Sequence, residues 1–157
     1  STLNDKSMKK KLNNVIFHEQ LNITEDAIDS IINLSKGDLR KGMNILQMVS
    51  THEYIDTKYV YELLSYPSKV DIDLIWNILM NGCFKDCKKI ESLINEYGYV
   101  LNDIVTEISE ITLSSDIDIQ KKTDIIIELA SIEEKLDTTE FMQMYIYGLM
   151  SIFIIFR

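Results

Sequence analysis

One proline and five glycines in 157 residues leave few of the sharp turns that a sheet-rich chain needs. A chain so poor in turn-formers is best built from long helices joined by short connections, and the apolar spacing agrees. Ile28, Ile31 and Ile32 stand at i, i+3, i+4, as do Ile75, Ile78 and Leu79, and Leu101, Ile104, Val105, Ile108 and Ile111 keep the same rhythm. Hydrophobic residues make up 46% of the chain, enough for a real core. The expected fold class is all-α.

Helix boundaries can be read from end signals. A first helix is expected over Lys9 to Leu21. Thr24 is a natural N-cap, with Glu25 and Asp26 in the first turn, and Gly37 ends that helix. Asp38 opens a third, with Leu39, Met43, Leu46 and Val49 as its apolar stripe, and Asp56 caps a fourth containing Val60, Leu63 and Leu64. Proline disfavours helix at the residue before it, so Tyr66-Pro67 is the expected domain boundary, giving domains at 1–66 and 67–157. Beyond it, Asn81-Gly82 and Tyr97-Gly98 are stops, and Phe84, Cys87, Ile90 and Ile94 form a stripe. Ile119 to Leu136 reads as helix despite the β-prone triplet Ile125-Ile126-Ile127. Thr138 or Thr139 caps a last helix carrying Phe141, Met144, Tyr145 and Gly148. The count is about four helices before Pro67 and five after it.

The charge is −9. A nucleic-acid binder normally presents a basic face, and the short lysine runs at 6–11, 85–89 and 121–122 read as solvated helix faces. No direct DNA binding is expected of this chain. Cys83 and Cys87, at i, i+4, are expected on one helical face as buried thiols. With only His18 and His52 elsewhere, a zinc site is not expected. No secretory leader is expected. The run from Phe141 to Phe156 falls short of a membrane span and carries Gln143 and Ser151, so it is expected to be a buried helix. Glu133-Glu134 and Asp71/Asp73 have no partners that would make a catalytic pair, and Trp76 reads as core or interface. The apolar tail Ile152 to Phe156 marks either a partner surface or the inside of the chain's own bundle.

One stretch carries chemistry. In Gly37-Asp38-Leu39-Arg40-Lys41, the Asp38 cap puts Arg40 and Lys41 in the first helical turn, beside backbone N–H groups, which is a potential anion site. Arg40 shares a face with Asn44 and Gln47, off the apolar stripe. The same arginine could equally pair with a carboxylate of this acidic chain.

The segment GDLRKGMNILQ at 37–47 resembles the sensor-2 motif of replication factor C small subunits, the clamp-loader members of the AAA+ ATPases. LNITEDAIDSIINLSK at 21–36 is similar to their lid, as is the run from Tyr66-Pro67 to Ile72, and LNDIVTEI at 101–108 resembles their collar. Gly42 and Met43 depart from the Ala and Leu usual there. The resemblance implies an AAA+ lid at 1–66 followed by a collar at 67–157 that packs into a ring with other replication factor C subunits. Arg40 would then be the sensor-2 arginine meeting ATP phosphates, with Leu39 on the adenine side. ATP with Mg, the sliding clamp and primer–template DNA would belong to the full-length subunit and its complex, whose place is nuclear and whose work is replication and repair. No phosphate loop, Walker B strand or Ser-Arg-Cys arginine-finger motif is present, so the chain is not expected to hydrolyse ATP by itself. A lid from another AAA+ protein, or a helical interaction module with no nucleotide role, are the competing readings.

Overall fold

The computed structural model describes residues 3–136 and 142–157. Among them the chain forms nine α-helices, one short 3₁₀ turn and no strand. It divides into two compact units, Ser1–Leu64 and Ser65–Arg157.

The first unit holds α1 (Leu3–His18), α2 (Glu25–Ser35), α3 (Leu39–Val49) and α4 (Thr57–Leu63). α2 lies at its centre, packed against α1, α3 and α4. The core is Leu12 from α1, Ile28 and Ile31 from α2, Leu46 and Val49 from α3, and Val60 from α4. Side-chain caps set three helix starts, as the sequence predicts. Thr24 Oγ1 accepts from the Ala27 N–H at 3.2 Å, Asp38 caps α3, and Asp56 Oδ1 accepts from the Tyr59 N–H at 2.7 Å. α1 departs from expectation at both ends, starting at Leu3 and stopping at His18 rather than running from Lys9 to Leu21. The stop has a backbone cause. Gln20 turns into the left-handed region (φ 54°), its N–H bonds Phe17 O, and the Leu21 N–H bonds Ile16 O at 3.0 Å. This is the usual helix-ending motif made with a glutamine where glycine is customary. A further tie is absent from the sequence pattern: Ile23 and Ile55 form an isolated parallel bridge, with Thr24 N–H to Ile55 O and Ile55 N–H to Asn22 O, joining the two loops that flank α2 and α3.

On α3 the buried positions are Gly42, Ile45, Leu46 and Val49, while Leu39 and Met43 are only half-buried, so the buried stripe sits to one side of the predicted one. Gly42 faces the crossing with α2. A Cβ there would lie 2.9 Å from Ser35 Oγ and 3.5 Å from Met8 Sδ. Ser35 is itself buried and donates to Ile31 O. Gly42→Ala alone is therefore expected to be nearly neutral, its gain of about 1 kcal/mol in helix propensity offset by displacing that hydroxyl. In a Ser35→Ala background the obstacle is gone, and adding Gly42→Ala is expected to raise stability by about 1 kcal/mol in urea unfolding. Equal increments in both backgrounds would refute the coupling.

The second unit holds α5 (Lys69–Asn81), the 3₁₀ turn Phe84–Asp86, α6 (Cys87–Tyr97), α7 (Leu101–Ser114), α8 (Ile119–Lys135) and α9 (Met142–Phe156). α9 packs on α5, α6 and α8, and α7 packs on α5 and α8. Their shared core includes Leu79, Ile90, Ile104, Ile125, Leu149 and Phe153. Ile125 is fully buried within α8, so packing overrides the β propensity of its triplet. Thr138, Thr139 and Phe141 lie outside the described residues.

The predicted stripe Phe84–Cys87–Ile90–Ile94 breaks at its start. Asp86 Oδ2 accepts from the Cys83 N–H at 3.0 Å, which closes a tight turn before α6 begins. Cys83 is thus exposed ahead of the helix, Cys87 is buried within it, and the two do not share a helical face. Phe84, 45% exposed, stacks on Tyr147 instead of entering the core. Gly82 ends α5 through close approach, since a Cβ there would meet Ile78 O at 2.5 Å. The apolar tail divides: Ile152 and Phe153 are buried, while Ile154 and Ile155 face outward.

Charge follows helix polarity in this unit. Three helices (α5, α7, α9) end where two (α6, α8) begin, and cations close two of those ends. Arg157 donates to Leu79 O and Gly82 O, both at 3.0 Å, and Lys122 donates to Leu113 O and Ser115 O. In the first turn of α5 Asp71 accepts from Ser68 and Tyr99, and midway along α7 Glu107 accepts from Tyr66, whose phenol is driven well above its ordinary range by burial and by that carboxylate. The chain's negative charge is concentrated here, with sixteen acidic against eight basic residues from 65 onward, compared with nine against eight before it.

Candidate functional site: the first turn of α3

The turn into α3 is built from two successive residues at positive φ, Lys36 (48°) and Gly37 (83°), which reverse the chain after α2. Asp38 then takes an extended conformation, and its Oδ1 accepts from the Arg40 N–H at 2.8 Å and the Lys41 N–H at 3.2 Å. This corrects one expectation. The backbone N–H groups beside Arg40 are not available to an anion, because the capping carboxylate already occupies them. An anion at this turn has to be held by side chains. Asp38→Ala is expected to cost about 1 kcal/mol of stability, the usual value of such a cap, measurable as a lowered midpoint in thermal unfolding.

The side chains are free to do so. Arg40 and Lys41 are exposed, and the Arg40 guanidinium makes no hydrogen bond or ion pair among the described residues. Its pairing with an acidic neighbour, the competing expectation from sequence, is not found there. Asn44 and Gln47, one and two turns further on, are exposed along the same face. Leu39 is half-buried at the start of the helix. Arg40 and Lys41 carry two positive charges at a helix start, where the dipole disfavours cations. The Asp38 carboxylate, bonded to both backbone N–H groups, offsets that cost. An exposed planar guanidinium suits a bidentate contact to phosphate or carboxylate.

Among the described residues no group of His, Cys, Asp and Glu is arranged to hold a metal ion, and no helix is long and apolar enough to cross a membrane.

Comparison with known proteins matches residues 67–144 to the replication factor C C-terminal domain. The replication factor C small subunit of Thermoplasma volcanium is 32% identical over 130 residues, 82% of this chain and 41% of that protein. Replication factor C subunit 3 of Schizosaccharomyces pombe is 35% identical over 83% of the chain and 39% of its own length. Subunit 5 of Mus musculus is 30% identical over 87% and 42% respectively. A match of 130 residues cannot fit within 67–157, so the similarity also takes in much of the first unit. The chain spans about two fifths of the length of these relatives. It belongs to the replication factor C family, with that family's C-terminal domain in its second unit.

Proposed function

We propose that this chain is the lid and collar of a clamp-loader subunit, and that Arg40 reads the phosphates of ATP bound by the rest of that subunit. The observation that carries the reading is the exposed Arg40 guanidinium, without a partner among the described residues, in the first turn of α3, within the sequence Gly37-Asp38-Leu39-Arg40. ATP with Mg would supply the driving reaction. This chain's share would be a planar positive fork whose engagement sets the position of the first unit. Leu39, half-buried at the same turn, would lie on the adenine side. The second unit would be the collar through which the subunit joins other replication factor C subunits, in a complex that places a sliding clamp on primer–template DNA for replication and repair. In a eukaryotic cell that work is nuclear.

A helical interaction module without a nucleotide role remains the rival reading, favoured by one observation: Asp38 places a negative charge at the turn that an ATP phosphate would approach. The parent coding sequence separates the two. The clamp-loader reading requires an upstream G-x-x-x-x-G-K-[ST] phosphate loop in the same reading frame. A parent protein with none would leave Arg40 nothing to read, and the interaction module would stand.

A further inference from the structure

α1 packs on α2 and α3, and Met8 and Leu12, both buried, mark the face it turns to them. Lys9, at the edge of that face, is spent on ion pairs with Glu25 (3.1 Å) and Asp29 (2.6 Å) of α2. The outer face has a different chemistry. Lys6, Lys10 and Phe17 recur along it at helical spacing, flanked by Lys11, Asn13 and Asn14. All six are exposed, Phe17 by 80%. None of the five polar side chains has a hydrogen bond or ion pair among the described residues. No carboxylate shares the face: residues 6–18 contain none, and Asp5 and Glu19 stand seven positions either side of buried Leu12, on the inner side.

Overall charge argues against an anionic partner, yet the charge is unevenly divided. Sixteen acidic residues stand against eight basic ones from position 65 onward, while before it the chain is nearly balanced at nine against eight. At physiological salt a charge is felt over only about 8 Å, so the outer face of α1 acts on a ligand by its own three cations. Exposed lysines alone are ordinary solvated surface. A phenylalanine ring left open to water among them is not, and any flat apolar cover stabilises it. A nucleobase supplies that cover, and the phosphates beside it supply the negative charge that the three lysines lack. Lys6 and Lys10 are about 6 Å apart along the axis, close to twice the roughly 3.4 Å rise per phosphate of one strand. Asn13 and Asn14 add carboxamide donors for phosphate oxygens or base edges. An acidic polypeptide would satisfy the lysines but has no flat unit at every residue to cover the ring.

We propose that the outer face of α1 binds single-stranded nucleic acid, with Lys6, Lys10 and Lys11 on its phosphates and a base stacked on Phe17. A single strand is specified because the bases of a duplex keep their faces to one another, and only an unstacked base can lie on the ring. The contact owes nothing to ATP or to Arg40. Three phosphate contacts make it weak and salt-dependent. For a single strand the logarithm of affinity falls by about 0.7 per contacted phosphate for each tenfold rise in salt, which gives a slope of about −2 here. A fourfold rise in salt is therefore expected to weaken binding by roughly 15- to 20-fold.

The test is photo-cross-linking of the full-length polypeptide to an oligodeoxythymidine of about 15 nucleotides carrying 5-iodouracil, a base that joins on irradiation to an aromatic ring stacked against it. At subsaturating oligonucleotide, mass spectrometry is expected to find the adduct on the peptide holding Phe17 at several times the yield at Tyr54, which is 51% exposed but stands beside Glu53. Lys6→Gln, Lys10→Gln and Lys11→Gln combined are expected to remove most of that adduct. The thermal midpoint should stay in place, because no partner among the described residues is lost. The parent adduct should itself fall by the stated factor on the fourfold rise in salt, a readout that needs no variant. A yield at Phe17 no higher than at Tyr54, an adduct insensitive to salt, or an equal yield from a duplex carrying the same base overturns the proposal. So does displacement by polyglutamate at a lower concentration of charge than by unlabelled oligodeoxythymidine, which would make the partner an acidic polypeptide. An oligouridine with 5-iodouridine distinguishes the two sources of strand: the higher yield names DNA or RNA, and equal yields mean that the face reads only phosphate and base plane.

Discussion

Arg40→Ala in the full-length subunit is expected to weaken ATP binding by roughly 10- to 100-fold while leaving the fold untouched. The size follows from the contact proposed. A hydrogen-bonded charge on a phosphate is worth about 1.5–3 kcal/mol, and each 1.4 kcal/mol is about tenfold in affinity. The unchanged fold follows from the geometry, since the guanidinium is exposed and has no partner among the described residues to lose. Substitutions at such surface positions stay within about 0.5 kcal/mol of neutral. Titration calorimetry with ATP, alongside thermal unfolding, gives both numbers on one preparation. Arg40→Lys is the sharper variant. It keeps the charge but loses the planar fork, and is expected to recover only a minor part of the affinity. Full recovery by lysine would mean that Arg40 acts as a point charge only. An unaltered affinity in Arg40→Ala would remove the sensor role altogether.

How far this site could be read in advance depends on the range of the forces that build it. The cap at Asp38 and the outward face shared by Arg40, Asn44 and Gln47 are local consequences of helix geometry, and both are visible in eleven residues. Occupation of the neighbouring N–H groups by the same aspartate was equally local, because an N-cap that satisfies these donors removes them from any anion. The apposition of Ser35 with Gly42 was not legible. It depends on how two helices cross, and neither residue announces a partner seven positions away. Helix ends divide in the same way. Those closed by a side-chain cap, at Thr24 and Asp56, were placed from sequence, whereas the end of α1 at a left-handed Gln20 carried no glycine to mark it. The break before α6 is not legible in the sequence, because Cys83 to Cys87 fits helical spacing and only the reach of Asp86 back to the Cys83 N–H stops it. A hollow beside α3 is lined by Val15 of α1, by Glu19 just beyond it, and by Met43 and Gln47 of α3, so no single stretch of sequence contains it.

Phe153→Ala is expected to cost the second unit about 3–5 kcal/mol, the range for emptying a buried phenylalanine site. Phe153 is fully buried, and its ring meets Trp76 edge to face at 5.6 Å, fastening α9 to α5. Domains of this size are held together by only about 5–15 kcal/mol, so the loss should bring the unit close to its unfolding threshold at ordinary temperatures. Trp76 is the chain's one tryptophan, and it sits against the mutated side chain. Its fluorescence therefore follows the unfolding of the second unit without a contribution from the first. Two residues further along the same helix, Ile155 is 69% exposed, and Ile155→Ala is expected to stay within about 0.5 kcal/mol of the parent. The pair decides what the apolar end of α9 is for. A large loss at 153 with none at 155 means that one face of the tail is spent on the unit's own core, leaving Ile155 available to a neighbouring chain. Comparable losses at both positions would mean that α9 is rotated from the packing described here, with both residues turned inward and no outward apolar face left for a collar contact.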